Sequence, residues 1–320
     1  DILDDYGYVI HSLNDHYYYY FPIGTSVVAM PFVAIAKVIG IDVVKSEPHL
    51  QTVIASICAG LTLLLLYLLA RLFLGYGQAF TLSLIFWFGT SLASTGGTAL
   101  WSHNFAVVFA LLAIYLSFNT VVAKKENLFF AIAISLFFAY LCRPTLALLT
   151  PFVVAFLFTY NKKLAIKTAV GFGVLFMGFV AVSMVEFHTL LPDYYLPKRL
   201  AGGSIGVAIE GNLVSPSRGL FVYSSFLVVF VARIMAAPSN LHLKKFWLLI
   251  AIGWPVLHLW VISKFPHWWA GWAYGARFMV DALPGLYLLC ISAWPSGLRT
   301  NTLISWGMRV ALVVTVLFSI

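Results

Sequence analysis

Long apolar runs alternate with short polar or aromatic breaks along most of the chain. Run length and breaks predict about ten helical segments, at 51–74, 78–97, 103–123, 127–142, 145–160, 165–190, 221–237, 247–263, 278–294 and 305–320. Several are shorter than the roughly 20 residues that a full membrane span needs. The pair 127–142 and 145–160 meets at Arg143-Pro144, which predicts a hairpin with Arg143 held in or near a polar cavity, because Pro144 stops the first helix. Residues 22–41 are apolar but punctuated by Pro22, Gly24, Pro31, Lys37 and Gly40. That punctuation predicts a juxtamembrane helix lying in the interface, not a crossing one. Residues 1–20, with Tyr17 to Tyr20 in succession, read as an interfacial loop. The organisation is therefore two-part: 1–50, the remainder of a first extracytoplasmic loop with its juxtamembrane helix, and 51–320, a transmembrane helical domain with extracytoplasmic loops at 191–220 and 264–277. Both ends read as cut, so the chain is expected to be a piece of a longer protein whose first helix precedes Asp1.

Composition sharpens the class. Of the 320 residues, 62% are hydrophobic and only 9% charged, whereas a water-facing domain carries about 25% charged residues. The fold class is thus an all-α polytopic membrane protein. The net charge of +8 does not point to nucleic acid, because the basic residues are scattered with no basic patch interleaved by aromatic residues. Cys58, Cys142 and Cys290 sit in or at the ends of apolar runs with no metal-ligand or disulfide spacing.

The basic residues instead predict topology. Lys124, Lys125, Lys162, Lys163, Lys167, Lys244, Lys245 and Arg299 fall on one side if every helical segment crosses, and that side is cytoplasmic by the positive-inside rule. The opposite side then collects His103, Arg143, Lys198, Arg199, Arg218, Tyr223, Lys264, His267 and Arg277. Cations placed against the rule call for another reason, and an anionic ligand at the outer boundary supplies one.

Two loops carry the candidate chemistry. The first, N-L-V-S-P-S-R-G-L-F-V-Y-S at 212–224, has Arg218 beside a Ser-Pro-Ser turn before a helix. It suits an anion or, equally, a plain cap with Arg218 snorkelling. The second, S-K-F-P-H-W-W-A-G-W-A-Y-G-A-R-F-M-V-D at 263–281, sets Lys264, His267 and Arg277 among Trp268, Trp269, Trp272 and Tyr274. An aromatic belt explains the rings but not the cations, which are the groups that clamp phosphate. Arg218, Lys264 and Arg277 are accordingly expected to converge on one anion. His103, Arg143, Tyr223, His267, Trp269 and Tyr274 are expected to line the substrate pocket. Asp281, one turn after Arg277, reads as its i,i+4 partner. Asp4 and Asp5 read as a solvated pair or as a base. No hydrolase, zinc-protease, P-loop or dinucleotide-binding motif is present.

Four stretches resemble one family, the integral-membrane glycosyltransferases of the GT-C class, particularly the bacterial relatives of protein O-mannosyltransferases and of the lipid A aminoarabinose transferase. Y-Y-Y-Y-F-P-I-G-T-S-V-V-A-M-P at 17–31 is similar to a Y-x-P-P-G segment that opens a juxtamembrane helix. L-C-R-P at 141–144 resembles the Arg-Pro hairpin tip. S-P-S-R-G-L-F-V-Y-S at 215–224 resembles S-P-x-R-G-L-x-x-Y-S-P, with Ser225 where Pro is usual. Residues 263–284 resemble S-K-x-x-x-W-W-G-G-x-x-Y-G-P-R-F-L-x-D-x-L-P, with Ala270 for Gly and Ala276 for Pro. The resemblance implies a bacterial inner-membrane enzyme that moves a sugar from a polyprenyl-phosphate donor to an acceptor on the extracytoplasmic face, with inversion, and often with a divalent cation (Mg or Mn). It also implies a catalytic Asp early in the first outer loop. Asp4 and Asp5 match a later acidic stretch of that loop, so the base is expected upstream of Asp1. The alternative is a lipid-linked-sugar flippase or a non-catalytic membrane subunit.

Overall fold

The computed structural model describes residues 10–13, 16–97, 99–124, 128–236, 247–271, 273–294 and 313–315. Asp4, Asp5, Lys125, Lys244, Lys245, Trp272, Arg299 and most of the segment 305–320 lie outside the described residues.

The first described element departs from the expected loop. Strands β1 (Ile10–Leu13) and β2 (His16–Tyr19) pair antiparallel, with Ile10 opposite Tyr19 and Leu13 opposite His16. Tyr residues fit a pleated, half-exposed ribbon, so the tyrosine run forms a strand. Helix α1 (Gly24–Val38) follows and tolerates Pro31 inside it. Its 15 residues span roughly 22 Å at 1.5 Å per residue, less than the hydrocarbon thickness of about 30 Å.

The remaining described elements are helical. Helices α2 (Glu47–Arg71), α3 (Tyr76–Phe88), α4 (Ser91–Gly96), α5 (Ser102–Ala123) and α6 (Phe129–Cys142) come first. Arg143 then takes an extended conformation, and a 3-10 turn at Pro144–Leu148 leads into α7 (Leu149–Phe158). This is the Arg-Pro hairpin read from the sequence. Helix α8 (Lys162–Phe187) is the longest among the described residues. The stretch 191–220, expected as a loop, holds two 3-10 turns, Asp193–Tyr195 and Pro197–Leu200, and a ten-residue helix α9 (Ile205–Val214). The short α10 (Leu220–Tyr223) and α11 (Phe226–Ala236) replace the single helix expected at 221–237. A π-helical turn at Leu249–Gly253 precedes α12 (Trp254–Ile262), placing the register slip just before Pro255, where the missing N–H disturbs the ladder. A 3-10 turn at Arg277–Ala282 opens α13 (Leu283–Ala293).

Among the described residues three helices, α2, α5 and α8, are long and apolar enough to cross a membrane. Helices α2, α3, α5, α7, α12 and α13 bury one continuous core around Leu66, Phe86, Phe118, Phe156, Trp254 and Tyr287. Helix α8 behaves differently. Ile166, Val170, Val174, Met177 and Val185 are all exposed along it, a face that suits hydrocarbon and not water.

Two close approaches tie α1 and the 193–195 turn to the hairpin tip. An added Cβ at Gly24 would sit 2.4 Å from the Cys142 backbone nitrogen and the Leu141 carbonyl carbon. The start of α1 therefore rests directly on the backbone of the hairpin tip. From the other side, the buried Tyr195 hydroxyl donates to the Leu141 carbonyl at 2.7 Å.

Candidate functional site

The site is built from the two sequence-distant motifs around Arg143 and Asp281. Asp281 is fully buried, delivered by the 3-10 turn before α13. Its Oδ1 accepts from His103 Nδ1 at 2.7 Å and its Oδ2 from Arg143 Nε at 3.0 Å. Arg143 Nη1 reaches Ser102 Oγ at 3.4 Å, and the guanidinium lies 5.5 Å from the Phe278 ring centroid. His258, also fully buried, places Nε2 2.9 Å from the Phe278 carbonyl oxygen. Helix α5, the hairpin tip and the 3-10 turn thus enclose an ion pair with one imidazole on its carboxylate, while a second imidazole, His258 of α12, bonds to the backbone of the same turn. A carboxylate taken out of water needs both oxygens satisfied, and this arrangement satisfies both.

The i,i+4 pairing expected between Arg277 and Asp281 is not what forms. The segment 277–282 is a 3-10 turn, in which residues three apart eclipse and those four apart do not. Arg277 instead places its guanidinium 4.7 Å from the Trp101 ring centroid, and its buried Nε has no hydrogen-bond partner. His103, expected to line the substrate pocket, is buried with its Nδ1 committed to Asp281.

Arg143 lines a cleft of about 300 Å³ between the hairpin tip, the 3-10 turns at 193–200 and the end of α12. Its walls are mainly apolar, with Leu148, Leu196, Leu200, Val261, Phe265 and Phe278 among them. The second cation in the cleft is Arg199. Its guanidinium lies 3.8 Å from the Tyr194 ring centroid, 5.3 Å from that of Phe265 and 5.6 Å from that of Tyr20. Aromatic faces hold such a cation by cation–π attraction without neutralising it.

The predicted phosphate trio does not meet here, for none of Arg218, Lys264 and Arg277 lines this cleft. Arg218 donates from Nη1 to the carbonyls of Trp269 and Gly271. Lys264 places its ammonium 3.5 Å from the Trp260 ring centroid. The two loops do come together. Tyr223 and Tyr274 pack edge to face at 4.5 Å, and His267 packs on Trp269 at 5.0 Å. Of the predicted pocket residues, Arg143 lines the cleft, His103 lies behind it, Tyr223 pairs with Tyr274, and His267 packs on both Trp269 and the cleft-wall Phe265, at 5.0 and 5.9 Å. The loop backbone supplies the partners of Arg218. Ala270 at φ 60 and Gly271 at φ 71 turn the chain so that carbonyls of this loop meet Arg218.

Ala270 stands where the resembled motif has Gly, and its φ explains the preference. An Ala held in the left-handed region costs about 1–2 kcal/mol, partly offset by the roughly 0.5–1 kcal/mol entropy loss of a Gly. Ala270→Gly is expected to raise stability by about 0.5–1 kcal/mol, read as a higher thermal midpoint of the solubilised protein. An unchanged or lower midpoint would count against the strain.

The divalent cation implied by the resemblance finds no ligand set among the described residues, where no three His, Cys, Asp or Glu groups come together. The carboxylate of Asp281 is occupied by nitrogen donors on both oxygens, which is not a cation site. Arg199 and Asp281 are the candidate-site positions least visible in the sequence. Arg199 was visible only as one more outer-face cation, and Asp281 only through its neighbour Arg277.

No protein-family model, curated protein or solved structure matches the chain. The resemblance to the GT-C class stands on its four sequence stretches.

Proposed function

We propose that this chain is the membrane part of a glycosyltransferase that takes a sugar from a polyprenyl-phosphate donor and passes it to an acceptor at the outer boundary of a bacterial inner membrane. The observation that carries the reading is a cleft with apolar walls and two guanidinium groups, Arg143 and Arg199. An amphiphile with an isoprenoid tail and an anionic head has this polarity, with the tail against Leu and Phe side chains and the phosphate against Arg. Ionisable groups buried in an apolar helical protein are functional by default. The leaving group is already a phosphate, so transfer chiefly needs cations on the departing charge and a carboxylate to take the acceptor proton. Asp281 does not suit the second task, since both its oxygens are engaged. The polytopic arrangement of about ten spans, with Lys124 and Lys162 to Lys167 on the cytoplasmic side, belongs to the same proposal.

The experiment is a transfer assay on the full-length protein, with the residues upstream of Asp1 included, in sealed proteoliposomes loaded with a fluorescent polyprenyl-phosphate sugar and a hydroxyl acceptor on the outer face. The expected result is acceptor glycosylation that falls roughly 10- to 150-fold in Arg199→Ala, the worth of one charge-assisted contact of about 1.5–3 kcal/mol. Movement of intact sugar-lipid between leaflets without loss of sugar would replace the reading with a flippase. Neither movement nor transfer would leave a non-catalytic subunit.

A further inference from the structure

Arg143 is shared between two environments. Its Nε belongs to Asp281, in a pair that is almost wholly enclosed, with Arg143 8% and Asp281 0% exposed. Yet the same residue forms part of the cleft wall. A guanidinium can serve both sides because its five donors fan out in a rigid plane. Nε and Nη1 are engaged with Asp281 and Ser102, and the fork retains further donors. An ammonium is a compact point charge, and next to a buried carboxylate it settles on that carboxylate. Arg199, the other cation of the cleft, faces Tyr194, Tyr20 and Phe265.

We infer that Arg143 is a bridging guanidinium, held at one edge by Asp281 and presenting its other donors to a lipid phosphate in the cleft, the diester of the sugar donor and the monoester left after transfer. Asp281 is then the positioning residue that makes arginine, not lysine, the working side chain at 143. His103 braces the arrangement by holding the second oxygen of Asp281, so the carboxylate cannot swing after the guanidinium. The inference rests on the reading above for placing an anionic headgroup in this cleft.

The test compares two Arg-to-Lys exchanges at one cleft. Binding of farnesyl phosphate to the full chain in nanodiscs is measured by titration, with inorganic phosphate as the second probe. Arg143→Lys keeps a Lys–Asp pair in the interior and is expected to fold. It is also expected to bind farnesyl phosphate roughly 10- to 100-fold more weakly, the loss of a charge-assisted contact. Arg199→Lys keeps a cation against the same rings and is expected to stay within about threefold of the parent. Asp281→Glu retains the charge but moves the carboxylate outward, so it is expected to weaken binding without abolishing folding, and it provides the test should Arg143→Lys not fold. A response to farnesyl phosphate alone assigns a lipid-borne headgroup, whereas an equal response to inorganic phosphate assigns the free ion. The asymmetry between positions 143 and 199 supports the bridge in either case. Parent-like binding by folded Arg143→Lys or by Asp281→Glu overturns it, as do equal losses in the two lysine variants and a parent protein that binds neither probe. Binding that follows the expected pattern while sugar transfer is absent would sink the glycosyltransferase reading and leave the bridge standing.

Discussion

Asp281→Ala is expected to cost about 3–5 kcal/mol of stability, enough to remove most folded protein. The figure is that for taking one partner from a buried ion pair. Asp281 has no exposure at all, and removing its carboxylate leaves the Arg143 guanidinium charged, enclosed and without its acceptor at 3.0 Å, while His103 loses its acceptor at 2.7 Å. A bare lost hydrogen bond would cost only about 0.5–1.5 kcal/mol, so the size of the effect separates an ion-pair hub from an ordinary polar contact. The readout is the thermal midpoint and yield of monodisperse protein after detergent extraction. Adding Arg143→Met to Asp281→Ala is expected to restore much of the loss, because replacing both charges with apolar groups is often neutral. A single Asp281→Ala within about 1 kcal/mol of the parent would show that water reaches the pair.

Gly24→Ala is the second large effect. Alanine in a helix normally gains up to about 1 kcal/mol over glycine, so propensity alone predicts a more stable protein. At this position the new methyl would lie 2.4 Å from the Cys142 nitrogen and 2.6 Å from the Leu141 oxygen. Those are backbone atoms at the tip that carries Arg143, and they have no rotamer to change. Relief requires α1 to lift off the hairpin. The expected cost is about 3 kcal/mol or more, the upper end for overpacking. Gly60→Ala in α2 is the control, since nothing lies within 4 Å of its added Cβ, and it is expected to gain about 0.5–1 kcal/mol. If both substitutions moved the midpoint in the same direction, the contact between α1 and the tip would not constrain the fold.

The helical class, most helix positions and the Arg-Pro hairpin are legible in the residues alone. Hydrophobic run length and proline placement are local properties, readable without knowing what packs against what. The short helix at Gly24–Val38 was legible for the same reason, since its breakers lie within it. Two local features were misread. The tyrosine run became a strand because a hairpin partner lies within reach, and residues 205–214 became a helix despite Gly206 and Gly211.

The company each charged residue keeps is set by packing between distant segments. Arg143 and Asp281 lie 138 positions apart, and nothing in the spacing of either motif names the other. The nearest cation in sequence, Arg277, was the natural partner until the 3-10 turn set the two side chains on different faces. Arg218 and Arg277 looked alike as outer-face cations, but a loop with positive φ at Ala270 gave Arg218 carbonyls to bind, while packing gave Arg277 the Trp101 ring. Burial chose Arg143 and Arg199 for the cleft, because a cavity is made of surfaces from several segments at once and no single stretch of sequence contains it.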